Sequence, residues 1–363
     1  MLREKVLGEW DLIGIVRERA PNAVARFVSP RDSHSELARD DSDTSRAMTN
    51  STPEDHDRVP TVSVGMPVYN AERFIEEALD SILAQSFDDL ELVISDNAST
   101  DRTPEICQAY AARDGRIRYA AMAQNVGVVE NFNTVFRLSR GRFFKWAAAD
   151  DVCGPHYLRQ AVDVLNRDPT VVLVWAKTFG IDGRGEPAVL PNEVSDLNGS
   201  SSVYSPDPVA RIRRLLRNMW WANGPFYGVV RRNALEQTRW LHPHHISGDQ
   251  ILLVELSLKG RFYELPGETF YSRAHADKTS RRQRTLRDRA ALVDRKAPGS
   301  GPAGWWRLVR GYPQRLAMYT MIIWGARITW FQKLLCQAEV ARAVFAWVWL
   351  RARQVASGAS PWR

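Results

Sequence analysis

Carboxylates can accept a hydrogen bond, take up a proton or hold a hard cation, and four of them stand beside the apolar runs of this chain. Asp96 follows the run at residues 90–94, and the adjacent pair Asp150 and Asp151 follows the run at 143–147. Paired acids at a strand end suit a divalent cation that screens phosphate oxygens. Asp249, in Ser247-Gly248-Asp249-Gln250, opens a helical pattern of Ile251, Leu252, Leu253 and Leu256. An acid in a helix's first turn is favoured by the dipole alone, and in a pocket mouth it can also act as a base. His275 ends the run Phe270-Tyr271-Ser272-Arg273-Ala274-His275. His242, His244 and His245 are interrupted by Pro243 and match no zinc spacing.

These residues need elements to hold them. From residue 61 the chain alternates strand-like runs (61–66, 90–94, 117–120, 143–147, 171–175) with helical patterns (70–83, one opening at 103, 127–138, 155–165). That alternation predicts an α/β fold with a mostly parallel central sheet. Ligands of such sheets bind beyond the carboxyl ends of the strands. The segments there are polar: Pro67-Val68-Tyr69-Asn70, Ser95 to Asp101, Gln124-Asn125-Val126-Gly127 and Ala149-Asp150-Asp151. Asn70 is expected to cap the first helix and Thr103 the second. Neither GxGxxG nor GxxxxGK[ST] occurs, so neither glycine-rich way of holding phosphates is available.

The ends of the chain differ in chemistry. The 363 residues are 44% hydrophobic and 25% charged, which excludes collagen-like and wholly disordered classes. Residues 1–59 are poor in large apolar side chains beyond residue 28 and read as a flexible leader, with Met48 a second candidate start. No secretory signal is expected. The domain reading is 1–59 leader, 60–280 catalytic domain and 281–363 a basic, Trp-rich helical tail. Residues 273–363 hold 18 Lys/Arg against 4 Asp/Glu, so the net charge of +7 is a property of this end. Trp305, Trp306, Trp324, Trp330, Trp347 and Trp349 are interleaved with those cations, a composition suited to a membrane headgroup layer. The tail predicts peripheral membrane contact and no nucleic acid partner. Trp220-Trp221 could form an aromatic platform or fill a core. Three widely spaced cysteines, Cys107, Cys153 and Cys336, point to a reduced, cytoplasmic chain.

The motif order Val62-Ser-Val-Gly-Met-Pro-Val-Tyr-Asn70, Leu92-Val-Ile-Ser-Asp-Asn-Ala-Ser-Thr-Asp-Arg-Thr103, Gln124-Asn-Val-Gly127 and Asp150-Asp151 resembles the family 2 glycosyltransferases of GT-A fold. The resemblance covers roughly residues 60–275. It implies an inverting, metal-dependent transfer from a nucleotide-diphosphate-sugar donor to a glycan or glycolipid acceptor, in cell-envelope or glycolipid synthesis. It places Pro67, Tyr69 and Asp96 at the nucleotide base, with Asn70 and Asn125 also on the donor side. Asp150 would face the ribose, Asp151 and His275 would meet Mg²⁺ or Mn²⁺, and Asp249 would be the catalytic base. Asn97 stands where many members carry a second Asp, and Ala148-Ala149 where others carry polar residues. Other classes weighed are a sugar-nucleotide nucleotidyltransferase, which would need a glycine-rich pyrophosphate loop after the first strand, and a non-catalytic scaffold, which would have lost its carboxylates.

Overall fold

The computed structural model describes residues 58–188, 204–218, 224–241, 248–275 and 315–356. The leader up to residue 57, Trp220 and Trp221, His242, His244 and His245, and Trp305 and Trp306 lie outside the described residues.

Strands β1 (Val62–Val68), β2 (Leu90–Asp96), β3 (Ile117–Ala121), β4 (Phe143–Trp146), β5 (Val152–Cys153), β6 (Val171–Ile181), β7 (Val229–Arg231) and β8 (Arg261–Arg273) form one sheet in the order β3-β2-β1-β4-β7-β6-β8-β5. β3, β2, β1 and β4 run parallel, as the strand and helix alternation predicts. β7 is antiparallel to both β4 and β6, and β5 is antiparallel to β8. The helices are α1 (Ile75–Leu83), α2 (Thr103–Arg113), α3 (Val128–Leu138), α4 (Tyr157–Arg167), α5 (Pro208–Asn218), α6 (Arg232–Glu236), α7 (Gly248–Ser257), α8 (residues 315–325) and α9 (Trp330–Ala356).

The sheet is covered on both sides, so β1 and β2 are buried along nearly their whole length, Ser63 and Glu91 included, instead of alternating between buried and exposed. One core joins β1 and β2 to α1, α2 and α4; Ile75, Ala78, Leu79 and Ile82 recur at helical spacing and supply the α1 contribution. The other joins β4 and β6 to α3, α5, α7, α8 and α9. The pleat of β4 sends Phe144 and Trp146 to this second core and Lys145 to the first.

Three local expectations are corrected. Asn70 does not cap α1: it adopts a left-handed backbone (φ 50°), and its side chain accepts a hydrogen bond from the Thr100 amide at 2.8 Å. Thr103 lies inside α2, and its amide is met by Asp101 Oδ1 at 3.0 Å. The fifth expected strand continues past Trp175 to Ile181 because β8 pairs with it over that length. Pro266 interrupts this pairing: Ala176 faces Leu265 while Lys177 faces Thr269. Proline has no amide hydrogen to give the ladder, so the strand bulges there and then resumes. The resumed segment carries β8 to Arg273 and the chain to His275.

Gly65 shows how closely α3 lies on β1: a Cβ there would stand 2.8 Å from Val135 Cγ2 and 2.8 Å from the Phe144 ring. Gly65→Ala should therefore cost about 1–3 kcal/mol by overpacking. Gly115→Ala, where nothing stands within 4 Å, should change stability by no more than about 0.5 kcal/mol. Urea unfolding of the two variants checks the contrast.

Candidate active site

The carboxyl ends of β1, β2 and β3 are bound together by short polar side chains. Asn70, held in its left-handed turn, donates its amide to Ser99 Oγ at 3.0 Å, while Glu72 and Asp101 exchange bonds with the backbone of the facing loop. Asn97 is buried and joins the loop after β2 to the loop after β3: its carbonyl accepts from the Val126 amide at 2.8 Å, and its Nδ2 reaches Asn125 Oδ1 and the Gly127 carbonyl. An aspartate here could not donate those last two bonds. Asn131, on α3, donates to the carbonyls of both Val68 and Ser95, joining the ends of β1 and β2.

Inside this frame Asp96 is 2% exposed. Its Oδ1 accepts from the Ser99 amide at 2.9 Å and its Oδ2 from the Tyr119 hydroxyl at 2.8 Å. The acid is thus held at the floor of the β1 and β2 cleft, while Tyr69 at its rim is 44% exposed. Pro67, in β1, and Asn125, in the loop after β3, line the same edge of the sheet.

The acidic pair divides its work. Asp151 is 4% exposed, and its Oδ1 accepts from the backbone amide of Arg273 at 2.9 Å. Asp150 Oδ2 lies 2.9 Å from His275 Nε2. Nδ1 is buried and has no hydrogen-bond partner. The structure therefore joins His275 to Asp150 rather than to Asp151. The Phe74 ring packs against His275, with centroids 4.7 Å apart, and the Arg273 guanidinium lies over the same ring.

Asp249 sits in the first turn of α7, as expected, with the carboxyl bonded to the amides of Asp249 and Gln250. Burial by the surrounding protein nevertheless raises its pKa above the ordinary aspartate value, against those bonds and the pull of Arg315. Tyr227 ends a short 3₁₀ turn (Gly224–Tyr227). Its hydroxyl is held neutral by burial first, and then by the fields of Asp151, Asp150 and Asp249. One side chain thus feels all three acids.

Arg273 and Lys145 are two site residues that motif reading passes over. The Arg273 side chain, 1% exposed, donates to the carbonyls of Asp150 and Asp182, both at 3.0 Å, and to Glu77 on α1. Lys145 is fully buried; its ammonium donates to the carbonyls of Tyr227 and Trp146 and lies over the Tyr157 and Phe270 rings. Burial lowers its pKa, opposed by Cys153 and Asp151. A lone charged residue in an apolar strand, as Lys145 is in Phe-Phe-Lys-Trp, was the available signal.

Parallel strands ending in polar loops, with Asp96 after β2 and Asp150 and Asp151 after β4 at the same end of the sheet, define an α/β protein of GT-A type. A solved structure of S. aureus TarS in complex with UDP-GlcNAc shares the fold, with a TM-score of 0.56 at 18% identity over 79% of this chain and 73% of that one. Residues 63–239 match the family described as glycosyl transferase family 2, and the chain carries a family 2 glycosyltransferase domain. Chondroitin synthase of Escherichia coli is 34% identical over 128 residues, 35% of this chain and 18% of that protein. The glycosyltransferase EpsJ of Bacillus subtilis is 40% identical over 93 residues, 26% of this chain and 27% of that one. The chain therefore spans only a minor part of the length of these two relatives.

Asn131→Ala should cost about 1–3 kcal/mol, because it strips partners from two buried carbonyls at the ends of adjacent strands. A denaturant midpoint series with Asn131→Asp alongside checks it. The Asp variant should not recover the loss, since a carboxylate has no hydrogen to donate.

Proposed function

We propose that the protein transfers a sugar from a nucleotide-diphosphate-sugar to an acceptor hydroxyl with inversion, in a metal-dependent reaction. The observation that carries this reading is the grouping of the Asp150–His275 pair, Asp151 and Asp249 around Tyr227, at the edge of the sheet where Asp96 and Tyr69 also lie. Tyr69 and Pro67 would flank the base, Asp96 would anchor its cleft, and Asn70 and Asn125 would keep the two loops apart at a fixed width. The likeness of the chain to chondroitin synthase supports a glycan or glycolipid acceptor, such as a cell-envelope polysaccharide or its lipid-linked precursor.

In the reaction the acceptor oxygen bonds to the anomeric carbon from the face opposite the diphosphate. The bond from that carbon to the diphosphate oxygen breaks, and the acceptor proton passes to a carboxylate oxygen of Asp249. A single displacement inverts the anomeric centre. The raised pKa of Asp249 suits a base, since its affinity for the proton exceeds that of an ordinary aspartate. Asp150, with Asp151 beside it, would offer carboxylate oxygens to a divalent cation whose remaining ligands are substrate phosphates, the usual manner of Mg²⁺, and His275 would orient Asp150 through Nε2. When bound, such an ion would neutralise the departing diphosphate. Among the described residues no group of three or more His, Cys, Asp or Glu side chains is poised around a metal. No described helix is long and apolar enough to cross a membrane, and the tail would meet a membrane from its surface.

Asp150→Ala should abolish Mn²⁺-dependent binding of a nucleoside diphosphate while leaving the melting temperature nearly unchanged. Asp151→Ala should lower the melting temperature as well, because it releases the Arg273 amide. Titration calorimetry and thermal melts of both variants separate the two roles.

Asp249→Asn should retain donor binding and lose transfer by roughly a hundredfold to ten-thousandfold. The raised folded-state pKa adds a second signature. The unfolded chain ionises near 3.8 while the fold resists ionisation, so the wild type loses stability as pH rises from that value through the folded pKa. At neutral pH Asp249→Asn should melt above the wild type, and the difference should vanish as pH falls toward 3.8. Transfer within a few-fold of wild type would remove Asp249 from the base role.

A further inference from the structure

Helix α9 runs 27 residues, and its two sides have opposite chemistry. Its inner side holds Cys336 and Val340, both buried, and Gln337, whose Nε2 donates to Thr320 on α8. Its outer side carries Trp330, Phe331, Leu334, Leu335, Phe345 and Trp349, all exposed, with Trp330 at 69% and Phe345 at 72%. At 100° per residue these six fall within an arc of roughly 140° centred opposite Cys336 and Val340. The stripe extends for roughly 28 Å, at about 1.5 Å per residue. Soluble proteins seldom leave so large a contiguous apolar surface to water.

We propose that this outer stripe of α9 docks the protein on the surface of an anionic lipid bilayer, the helix lying in the headgroup plane. Charge selects the occupant. Glu339 is the single acid of α9, and it is turned away and held by Arg213 and Arg342, at 2.9 Å for the Arg213 bond. Lys333 and Arg353 remain, the latter lying over the Trp349 ring at 4.8 Å. An apolar stripe with tryptophans and a basic rim free of exposed carboxylates is complementary to lipid tails beneath anionic headgroups. It is not complementary to a second copy of itself, since the rims would repel. α9 is too polar to span.

Docking in this way also orients the site. Met321 and Trp324 on α8 are exposed, and the other end of α8 is tied to α7 where Arg315 donates to Gln250 Oε1 at 2.8 Å, next to Asp249. The inference deepens the proposed function by naming the surface at which the transferase works. The docking itself stands on α9 alone and does not depend on Asp249 being a base.

The test is flotation of the full chain with vesicles of phosphatidylcholine and phosphatidylglycerol in equal parts, and with phosphatidylcholine alone. The wild type should float with the anionic vesicles and much less with the neutral ones, and high salt should weaken the association. The double variant Phe331→Ser with Phe345→Ser should bind at least roughly tenfold more weakly, because two large apolar side chains no longer leave water on docking. Both positions are exposed, so its melting temperature should match the wild type. A wild type that stays in the aqueous fraction overturns the proposal, whether a second copy or residues 1–57 cover the stripe. So does a variant that floats as well as the wild type. Flotation with no sugar transfer would support the docking surface while overturning the transferase reading.

Discussion

The guanidinium of Arg273 is buried at the end of β8, and its hydrogen bonds reach the Asp150 loop, the end of β6 and Glu77 on α1. A buried charge without partners would cost several kcal/mol, so these acceptors are held where the guanidinium needs them. The same residue's amide holds Asp151 from the backbone side. Asp150 is left to face His275, two residues further on. The geometry of the acidic pair therefore depends on how β8 is registered against β6, and that register is set by the interruption at Pro266.

On the other side of the cleft neutral amides hold the geometry. Asn70 accepts through its side chain, Asn131 donates, and Asn97 does both, so that together they bridge three strand ends, and the donations are ones carboxylates could not make. Charge is thereby confined to Asp96 at the floor and to the acids at the far edge. Lys145 joins the two sides from underneath: it starts on β4, which leads into Asp150, and ends on the Tyr227 carbonyl beside the acceptor-side turn. A fully buried ammonium tolerates little displacement of its acceptors, so the turn bearing Tyr227 and the strand bearing the acidic pair move together or not at all.

Much of this was legible in the residues. Apolar runs alternating with helical spacing, and acids placed at the ends of those runs, determine an α/β sheet with its polar edge at Asp96, Asp150 and Asp151, because burial on both faces leaves polar side chains only the strand ends to occupy. The motif order further identified the transferase domain, and the spacing of tryptophans and arginines marked the tail as amphipathic. The tertiary structure alone decided that Asn70 and Thr103 do not cap their helices, that His275 pairs with Asp150 and not Asp151, and that Lys145 and Arg273 are the buried cations around the site. It also decided which six apolar residues of α9 face outward. The bonds of Asn70, Lys145, Arg273 and His275 join segments tens to nearly two hundred residues apart, and such contacts depend on strand register and crossing geometry, which local spacing does not encode.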